Sequence, residues 1–191
     1  MNLDKNELDL IEAWARMAQP LSGVYYRSVE YRYMDPKTVL DGNGAATHGG
    51  RFASVGTKAV YLAESDSVAS GEVTARKARL GGNAQISLDK YPRIVFSVAV
   101  TLKKVVDLSK KPLPKGMAAI RDKCMNAADL GASQELGDRL RTLGVEGMIF
   151  PSAVGVGKNL IVYKDLCAKD ALQLQNLSAL MRMLKKIART R

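Results

Sequence analysis

Residues suited to metal ligation or to histidine-based catalysis are scarce in this chain. The 191 residues include one histidine, His48, and two cysteines, Cys124 and Cys167, which lie far apart and form no CxxC motif. A zinc site needs a closer cluster of such ligands, and Ser-His-Asp or Cys-His chemistry would depend on this one histidine. We therefore predict no metal site and expect two free thiols, although sequence alone leaves a disulfide open.

Long apolar runs are also missing. No stretch approaches the ~20 apolar residues of a membrane-spanning helix. The first residues, MNLDKNELDLIEAW, are acidic where a secretory signal is basic and then apolar. The apolar fraction of 47% and the charged fraction of 25% are ordinary for a soluble globular protein. We predict a single-domain cytoplasmic protein that makes no membrane contact.

Acidic residues are fewer than basic residues, and the net charge is +10. A basic protein invites a nucleic-acid interpretation. Half of the last ten residues are basic and none is acidic, so the C-terminal tail carries much of the excess. The other basic residues are scattered and are not interleaved with aromatic residues. A nucleic-acid-binding module or a ribonuclease-type toxin is therefore kept as an alternative of another class.

The hydrophobic patterning predicts one mixed α/β domain without internal repeats. Helices are predicted over residues 4–18, from 66 or 67 to the glycine pair at 81–82, over 118–130 and 133–143, and from about 170 onwards. Strands are predicted over residues 24–31, 59–63, 94–102, 105–108, 147–151 and 160–163. The segment 34–50 is predicted to be a long loop, which in a compact domain is often a binding loop.

The last predicted helix is basic and amphipathic. Leu174, Leu177, Met181 and Leu184 recur at spacings of three and four residues. This pattern favours a terminal helix packed on the core of its own domain. A dimer or partner surface, or a helix lying on a membrane, are the alternatives. We divide the chain into an N-terminal helix (1–20), a catalytic region (21–165) and this C-terminal helix (166–191).

The chemistry-bearing residues are concentrated between residues 24 and 72. Arg27 and Arg51 can each grip a phosphate with a planar fork of donors, and Tyr61 offers a stacking face with a polar tip. Glu72 can stabilise a developing positive charge. Each has a plainer interpretation: the arginines could be solvated, Tyr61 could be a core residue, and Glu72 could pair with Arg76 on a helix surface. Residue chemistry alone indicates an anion-binding pocket with one carboxylate.

Further motifs in a fixed order give these residues a context. They are Tyr26-Arg27, Gly49-Gly50-Arg51, Val60-Tyr61-Leu62-Ala63, Ala69-Ser70-Gly71-Glu72, Ile149-Phe150-Pro151-Ser152 and Asn159-Leu160-Ile161-Val162-Tyr163. In this order the motifs resemble those of RES-domain proteins, the toxin halves of RES–Xre toxin–antitoxin pairs. One departure is Phe52-Ala53, where the family pattern has Trp-Asn.

The resemblance implies a fold like that of diphtheria-type ADP-ribosyltransferases, with small central β-sheets flanked by helices, and NAD as substrate without a metal. It implies that Glu72, Arg51, Tyr61 and Arg27 are catalytic. The residues that it implies for NAD binding are Arg27, Arg51, Tyr61, Ser152, Asn159 and His48.

The resemblance also implies a function and a partner. The expected function is a growth-arresting toxin that cleaves the nicotinamide–ribose bond of NAD by hydrolysis or phosphorolysis. An ADP-ribosyltransferase that modifies a specific protein would use the same pocket and is the alternative. The expected partner is an antitoxin with a helix-turn-helix domain, and the toxin would join DNA only through that antitoxin.

Overall fold

The computed structural model describes residues 3–79, 92–125, 130–152 and 156–189. The helices are α1 (Lys5–Ala15), α2 (Asn43–His48), α3 (Asp66–Arg79), α4 (Met117–Met125), α5 (Gly131–Thr142) and α6 (Leu177–Arg189), with a short 3-10 helix at Tyr31–Tyr33. The strands are β1 (Gln19–Glu30), β2 (Ala59–Ala63), β3 (Arg93–Asp107), β4 (Gly147–Pro151), β5 (Lys158–Tyr163) and β6 (Leu172–Leu174). The predicted mixed α/β fold is confirmed.

The described strands form one six-stranded sheet in the order β1-β2-β5-β4-β3-β6. The β3–β4 pair is parallel, and the other neighbours are antiparallel. Because β1 also pairs with β3 along most of its length, five of the strands form a closed ring of pairings. The weakest joint of the ring is between β1 and β2, which meet at a single pair, Tyr26 and Ala63.

Apolar side chains pack on both faces of this sheet. One cluster fills the space that the strands enclose, and its fully buried members include Val60, Val98 and Leu160. The other cluster packs α1, α4 and α5 against the outside of the sheet, with Trp14, Ile120 and Leu136 at its centre. Since both faces are covered, the strands are anchored well enough to hold a site at their ends.

The N-terminal helix begins where the sequence predicts and ends earlier. Asp4 and Glu7 form a reciprocal capping box, in which each side chain accepts a hydrogen bond from the backbone of the other. The helix ends at Ala15, three residues before the predicted end, because the following turn tightens into bonds of the 3-10 type. Pro20 then lies inside β1, near its exposed start.

Other predicted elements also differ from the structure. The strands predicted at 94–102 and 105–108 are one continuous strand, β3. The predicted loop 34–50 contains the short helix α2, which begins after Gly42 in a left-handed conformation. The helix predicted from about residue 170 begins at Leu177, because the segment before it pairs with β3 as β6 and places Leu174 on a strand.

Two other sequence expectations concern helices. The glycine pair at 81–82, predicted to end α3, lies outside the described residues. Leu180 of α6 is buried against the enclosed cluster, whereas Leu177 and Met181 are exposed, so α6 packs on its own domain along part of its apolar stripe.

Within the described part of the chain, no helix is both long enough and apolar enough to cross a membrane.

Candidate active site

A cavity of about 710 Å³ opens beside the joint between β1 and β2. Its volume lies within the usual range for small-molecule sites, roughly 300–1,000 Å³. Helices α2 and α3, the turn at residues 49–51 and the ends of β4 and β5 surround it. Six residues that the sequence singles out border this cavity: Arg27, His48, Arg51, Tyr61, Glu72 and Asn159.

The carboxylate of Glu72 is fixed by two neutral donors. Ser152 donates from Oγ to Glu72 Oε1 at 2.5 Å, and Asn159 donates from Nδ2 to the same oxygen at 2.7 Å. Both donors are buried, each with 7% of its surface exposed. The carboxylate therefore lies at the cavity wall with its orientation set, while the side chain of Arg76, its alternative partner, is outside the described residues.

The sheet register explains why these residues meet. Ser152 directly follows β4, and its backbone N–H bonds to the carbonyl of Gly157 at 3.0 Å, which closes the β4–β5 connection. Asn159 pairs with Ala63 at the end of β2. Helix α3 begins three residues after β2, and its small buried residue Ala69 packs near Ala63, so that Glu72, one turn later, comes within reach of both donors.

The turn that carries Arg51 depends on a glycine and a tyrosine. The hydroxyl of Tyr61 accepts a hydrogen bond from the backbone N–H of Phe52 at 3.1 Å. A Cβ on Gly50 would lie 2.4 Å from that hydroxyl, so only glycine fits here. Gly49 ends α2 with φ of 68°, a conformation that also favours glycine. Tyr61 thus both supports the turn and borders the cavity.

We expect Gly50→Ala to lower the thermal unfolding midpoint, because the added Cβ displaces either the turn or Tyr61. Gly44→Ala is the matched control, since a Cβ on Gly44 of α2 would point into open space and alanine favours helix. Differential scanning calorimetry checks both variants. Equal midpoints for Gly50→Ala and wild type would contradict this account of the turn.

The turn is well anchored although Phe52-Ala53 stands where the family pattern has Trp-Asn. Both side chains are fully buried, and the Phe52 ring packs edge-on against Phe150 at a centroid distance of 4.8 Å. Gly50 and Ala53 bridge through backbone hydrogen bonds of 2.8 and 3.4 Å. The turn is therefore held by its backbone and by the Phe52 ring, without any contribution from a polar side chain at position 53.

Side chains of α5 and β5 also support this turn. Gln134 of α5 donates to the carbonyl of Gly50 at 3.1 Å, and Tyr163 donates from its hydroxyl to the carbonyl of Phe52 at 3.1 Å. Ser54 donates to Asp138 at 2.5 Å. Because α5 is packed in the outer core, the position of the turn is coupled to that core.

Arg51 is anchored at the end of α4. Its Nη1 donates to the carbonyl of Cys124 at 3.0 Å. Burial raises the pKa of the Cys124 thiol to about 12, so this thiol stays protonated at neutral pH and is unsuited to act as a nucleophile. Cys124 and Cys167 are both free, as the sequence analysis expects. Cys124 contributes to the site through its backbone carbonyl.

Arg27 is the most unusual residue of the cavity. Its Nε and Nη1 atoms are buried without a hydrogen-bond partner among the described residues. The pKa of its guanidinium is lowered to about 10, mainly by burial; the charge of Asp41 opposes this shift, and the charge of Arg93 contributes to it. Leaving such donors unpaired is costly. An anionic ligand entering the cavity would supply the missing acceptor.

Several residues of the cavity wall were not predicted from the sequence, among them Ser28, Arg93 and Gln134. Arg93 directly follows Pro92 at the start of β3, and nothing in the local pattern distinguishes it from a solvated strand residue. His48 lies at the end of α2 as an exposed residue of the cavity rim. Ser152 donates a hydrogen bond to the carboxylate of Glu72 and is not among the residues that border the cavity.

Comparisons with known proteins identify the family and the fold of this chain. The chain matches the family model of the RES domain over residues 24–181. Its structure is similar to a chain in the crystal structure of the M. tuberculosis MbcT–MbcA toxin–antitoxin complex, with a TM-score of 0.75 and 25% sequence identity over 91% of each chain. A search of curated proteins finds no significant match. On the family match, which covers most of its length, this chain belongs to the RES-domain family.

Proposed function

We propose that this chain is the toxin of a toxin–antitoxin pair and consumes NAD by cleaving its nicotinamide–ribose bond. Membership of the RES-domain family and likeness to a toxin–antitoxin structure support the first part. The second part depends on one observation: a single cavity holds an orientated carboxylate, Glu72, and the guanidinium of Arg27, whose buried Nε and Nη1 have no acceptor among the described residues. A dinucleotide presents both complementary features, a ribose that becomes positive and a pyrophosphate.

The proposed reaction breaks the bond between the ribose C1′ and the nicotinamide nitrogen. The electron pair of this bond stays on the nitrogen, so the positively charged ring leaves as neutral nicotinamide and the ribose becomes oxocarbenium-like. Water then attacks C1′ and loses a proton to give ADP-ribose, or phosphate attacks to give ADP-ribose phosphorylated at C1′. Because nicotinamide leaves without protonation, one carboxylate suffices where most glycosidases use two.

The candidate residues of the cavity have different roles in the proposed reaction. The carboxylate of Glu72 stabilises the positive ribose, and its fixed orientation avoids reorganisation during the reaction. Arg27 and Arg51 bind the pyrophosphate or the nicotinamide ribose, because guanidinium forks match phosphate geometry. Tyr61 offers its ring to the flat nicotinamide. Asn159 and His48 border the same space.

Loss of the Ser152 hydroxyl should reduce kcat more than it changes KM. Ser152→Ala removes one of the donors that orient Glu72, and loss of a hydrogen bond to a charged group lowers a rate about tenfold. Steady-state measurement of nicotinamide release checks this expectation. Ser178→Ala, at an exposed position of α6, is the control. An unchanged kcat in Ser152→Ala would show that the orientation of Glu72 does not matter.

A toxin that depletes NAD requires a neutralising partner in the same cell. We propose an antitoxin with a helix-turn-helix domain that forms a hetero-oligomer with this chain, and DNA contact through that antitoxin alone. The M. tuberculosis structure, a toxin–antitoxin complex, supports the existence of such a partner. The proposal places the protein in the cytoplasm, where its substrate is available.

Induced expression in a bacterial host tests the toxin proposal. We expect cellular NAD to fall before growth stops, and co-expression of the antitoxin to prevent both effects. Growth arrest with unchanged NAD and degraded RNA would instead favour the ribonuclease-type alternative. If labelled NAD marked a protein band without releasing soluble ADP-ribose or its phosphate, the ADP-ribosyltransferase alternative would replace our proposal.

A further inference from the structure

The turn that carries Arg51 lies directly against one face of α5. Gln134, Gly137 and Asp138 are three and four residues apart on this helix and therefore share a face. A Cβ on Gly137 would collide with the backbone carbonyl of Phe52, so only glycine lets the helix approach the turn this closely. The turn and α5 are consequently in direct backbone contact.

The side chains before and after this glycine contact different parts of the turn. Asp138 accepts a hydrogen bond from the hydroxyl of Ser54 at 2.5 Å, and neither of these residues borders the cavity. Gln134 donates from Nε2 to the carbonyl of Gly50 at 3.1 Å, and Gln134 and Gly50 both border the cavity. Of these two contacts, the one made by Gln134 is at the cavity wall.

The carbonyl that Gln134 holds belongs to the peptide group between Gly50 and Arg51. The next peptide group, between Arg51 and Phe52, is held by Tyr61, whose hydroxyl accepts a hydrogen bond from the N–H of Phe52 at 3.1 Å. Because a peptide group is planar, fixing both planes restricts the two backbone torsions of Arg51. These torsions set the direction in which the arginine side chain leaves the backbone.

We propose that Gln134 is a positioning residue, which acts through Arg51 by fixing the peptide group that precedes it. This inference rests on the proposed function, in which Arg51 binds the pyrophosphate or the nicotinamide ribose. The guanidinium of Arg51 donates to the carbonyl of Cys124 at 3.0 Å, so the side chain is held at both its base and its tip. Such an arginine is ordered before the substrate arrives, which lowers the entropic cost of binding.

Gln134→Met and Ser54→Ala form a matched pair for testing this. Methionine is similar in length to glutamine but has no N–H donor for Gly50, whereas Ser54→Ala removes the contact with α5 that lies outside the cavity. A neutral hydrogen bond is worth about fivefold in an equilibrium constant. We therefore expect Gln134→Met to raise the KM for NAD about fivefold with kcat within about twofold, and Ser54→Ala to keep the wild-type KM.

The rise in KM separates positioning from a purely structural role. A variant that is partly unfolded contains less active protein, which lowers the apparent kcat and leaves KM unchanged. Gln173→Met removes an amide that donates to the carbonyl of Asp170 at 3.2 Å, at an exposed position of β6, and should behave like wild type. An unchanged KM in Gln134→Met, or an equal rise in Ser54→Ala, would overturn the inference.

Binding of ADP-ribose, followed by NMR titration, tests whether Gln134 acts through Arg51. We expect Gln134→Met to raise the Kd for ADP-ribose about fivefold in the wild-type background and less than twofold in the Arg51→Met background. Equal rises in both backgrounds would mean that Gln134 binds the ligand directly, and would overturn the inference. If wild type bound ADP-ribose without consuming NAD, the proposed function would fail, while the expected pattern of Kd values would still support the role of Gln134.

Discussion

Glu72→Gln is expected to reduce NAD consumption about a thousandfold, the loss that follows removal of one preorganised electrostatic group from an active site. The glutamine keeps the size of the side chain, and its carbonyl oxygen can still accept hydrogen bonds from Ser152 and Asn159. What it lacks is the negative charge that stabilises the oxocarbenium-like ribose. Binding of ADP-ribose, which carries no such charge at C1′, should change little.

Steady-state kinetics and calorimetric titration with ADP-ribose together check this expectation. Glu64→Gln makes the same chemical change at an exposed position just after β2, outside the cavity, and should retain full turnover. The role assigned to Glu72 would be wrong if Glu72→Gln kept wild-type kcat. It would also be wrong if the variant lost ADP-ribose binding as completely as turnover, because Glu72 would then be a ground-state binding residue.

Arg27→Met should stabilise the free protein and weaken NAD binding at the same time. Methionine retains much of the arginine stem and removes a charge whose buried Nε and Nη1 lack partners in the part of the chain that the structure describes. An unsatisfied buried polar group costs about 1–3 kcal/mol, so we expect the free energy of unfolding to increase by an amount of this order. Loss of a charge-assisted phosphate contact should raise the Kd for NAD about a hundredfold.

The direction of the pKa shift supports the expected gain in stability. The folded-state pKa of Arg27 is lowered to about 10, mainly by burial, so folding disfavours its charged form. This penalty is complete at all pH values below about 10 and declines as pH rises through the folded pKa towards the higher pKa of an arginine in the unfolded chain. At neutral pH the full penalty therefore acts on wild type and is absent from Arg27→Met.

Urea unfolding at neutral pH, with and without NAD, measures both effects of Arg27→Met. Arg182→Met, on the exposed side of α6, is the control and should change neither quantity. A variant that is destabilised and still binds NAD like wild type would show that Arg27 is a structural residue. The opposite changes in stability and affinity are expected of a residue whose charge serves a ligand.

Sequence patterns predicted the fold well where local signals were strong. The helix predicted from residue 4 starts at Lys5, directly after its cap Asp4, and the apolar runs at 59–63 and 147–151 matched β2 and β4. The elements that were predicted wrongly depend on pairing between strands that are distant in sequence. β1 pairs with β3 and draws 93–107 into one strand, and β6 takes Leu174 from the predicted helix by pairing with Val98. Neither partner is visible in a local window of sequence.

The candidate site was predictable to the extent that its residues stood in recognisable motifs. Arg51, Tyr61 and Glu72 belong to ordered segments, and the structure places all three around one cavity. Arg93 belongs to no motif and reaches the cavity because Ser28, 65 positions away in sequence, fixes its side chain. The missing acceptor of Arg27 is likewise a property of packing, which residue identity does not reveal.

Release of nicotinamide from NAD by the purified chain, followed by proton NMR, tests the central claim most directly. We expect many molecules of nicotinamide per molecule of wild-type protein, with equal amounts of ADP-ribose or, in phosphate buffer, its phosphorylated form. Turnover should be retained in Glu64→Gln and nearly absent from Glu72→Gln. NAD that remained intact for hours with wild-type protein in both buffers would contradict the account.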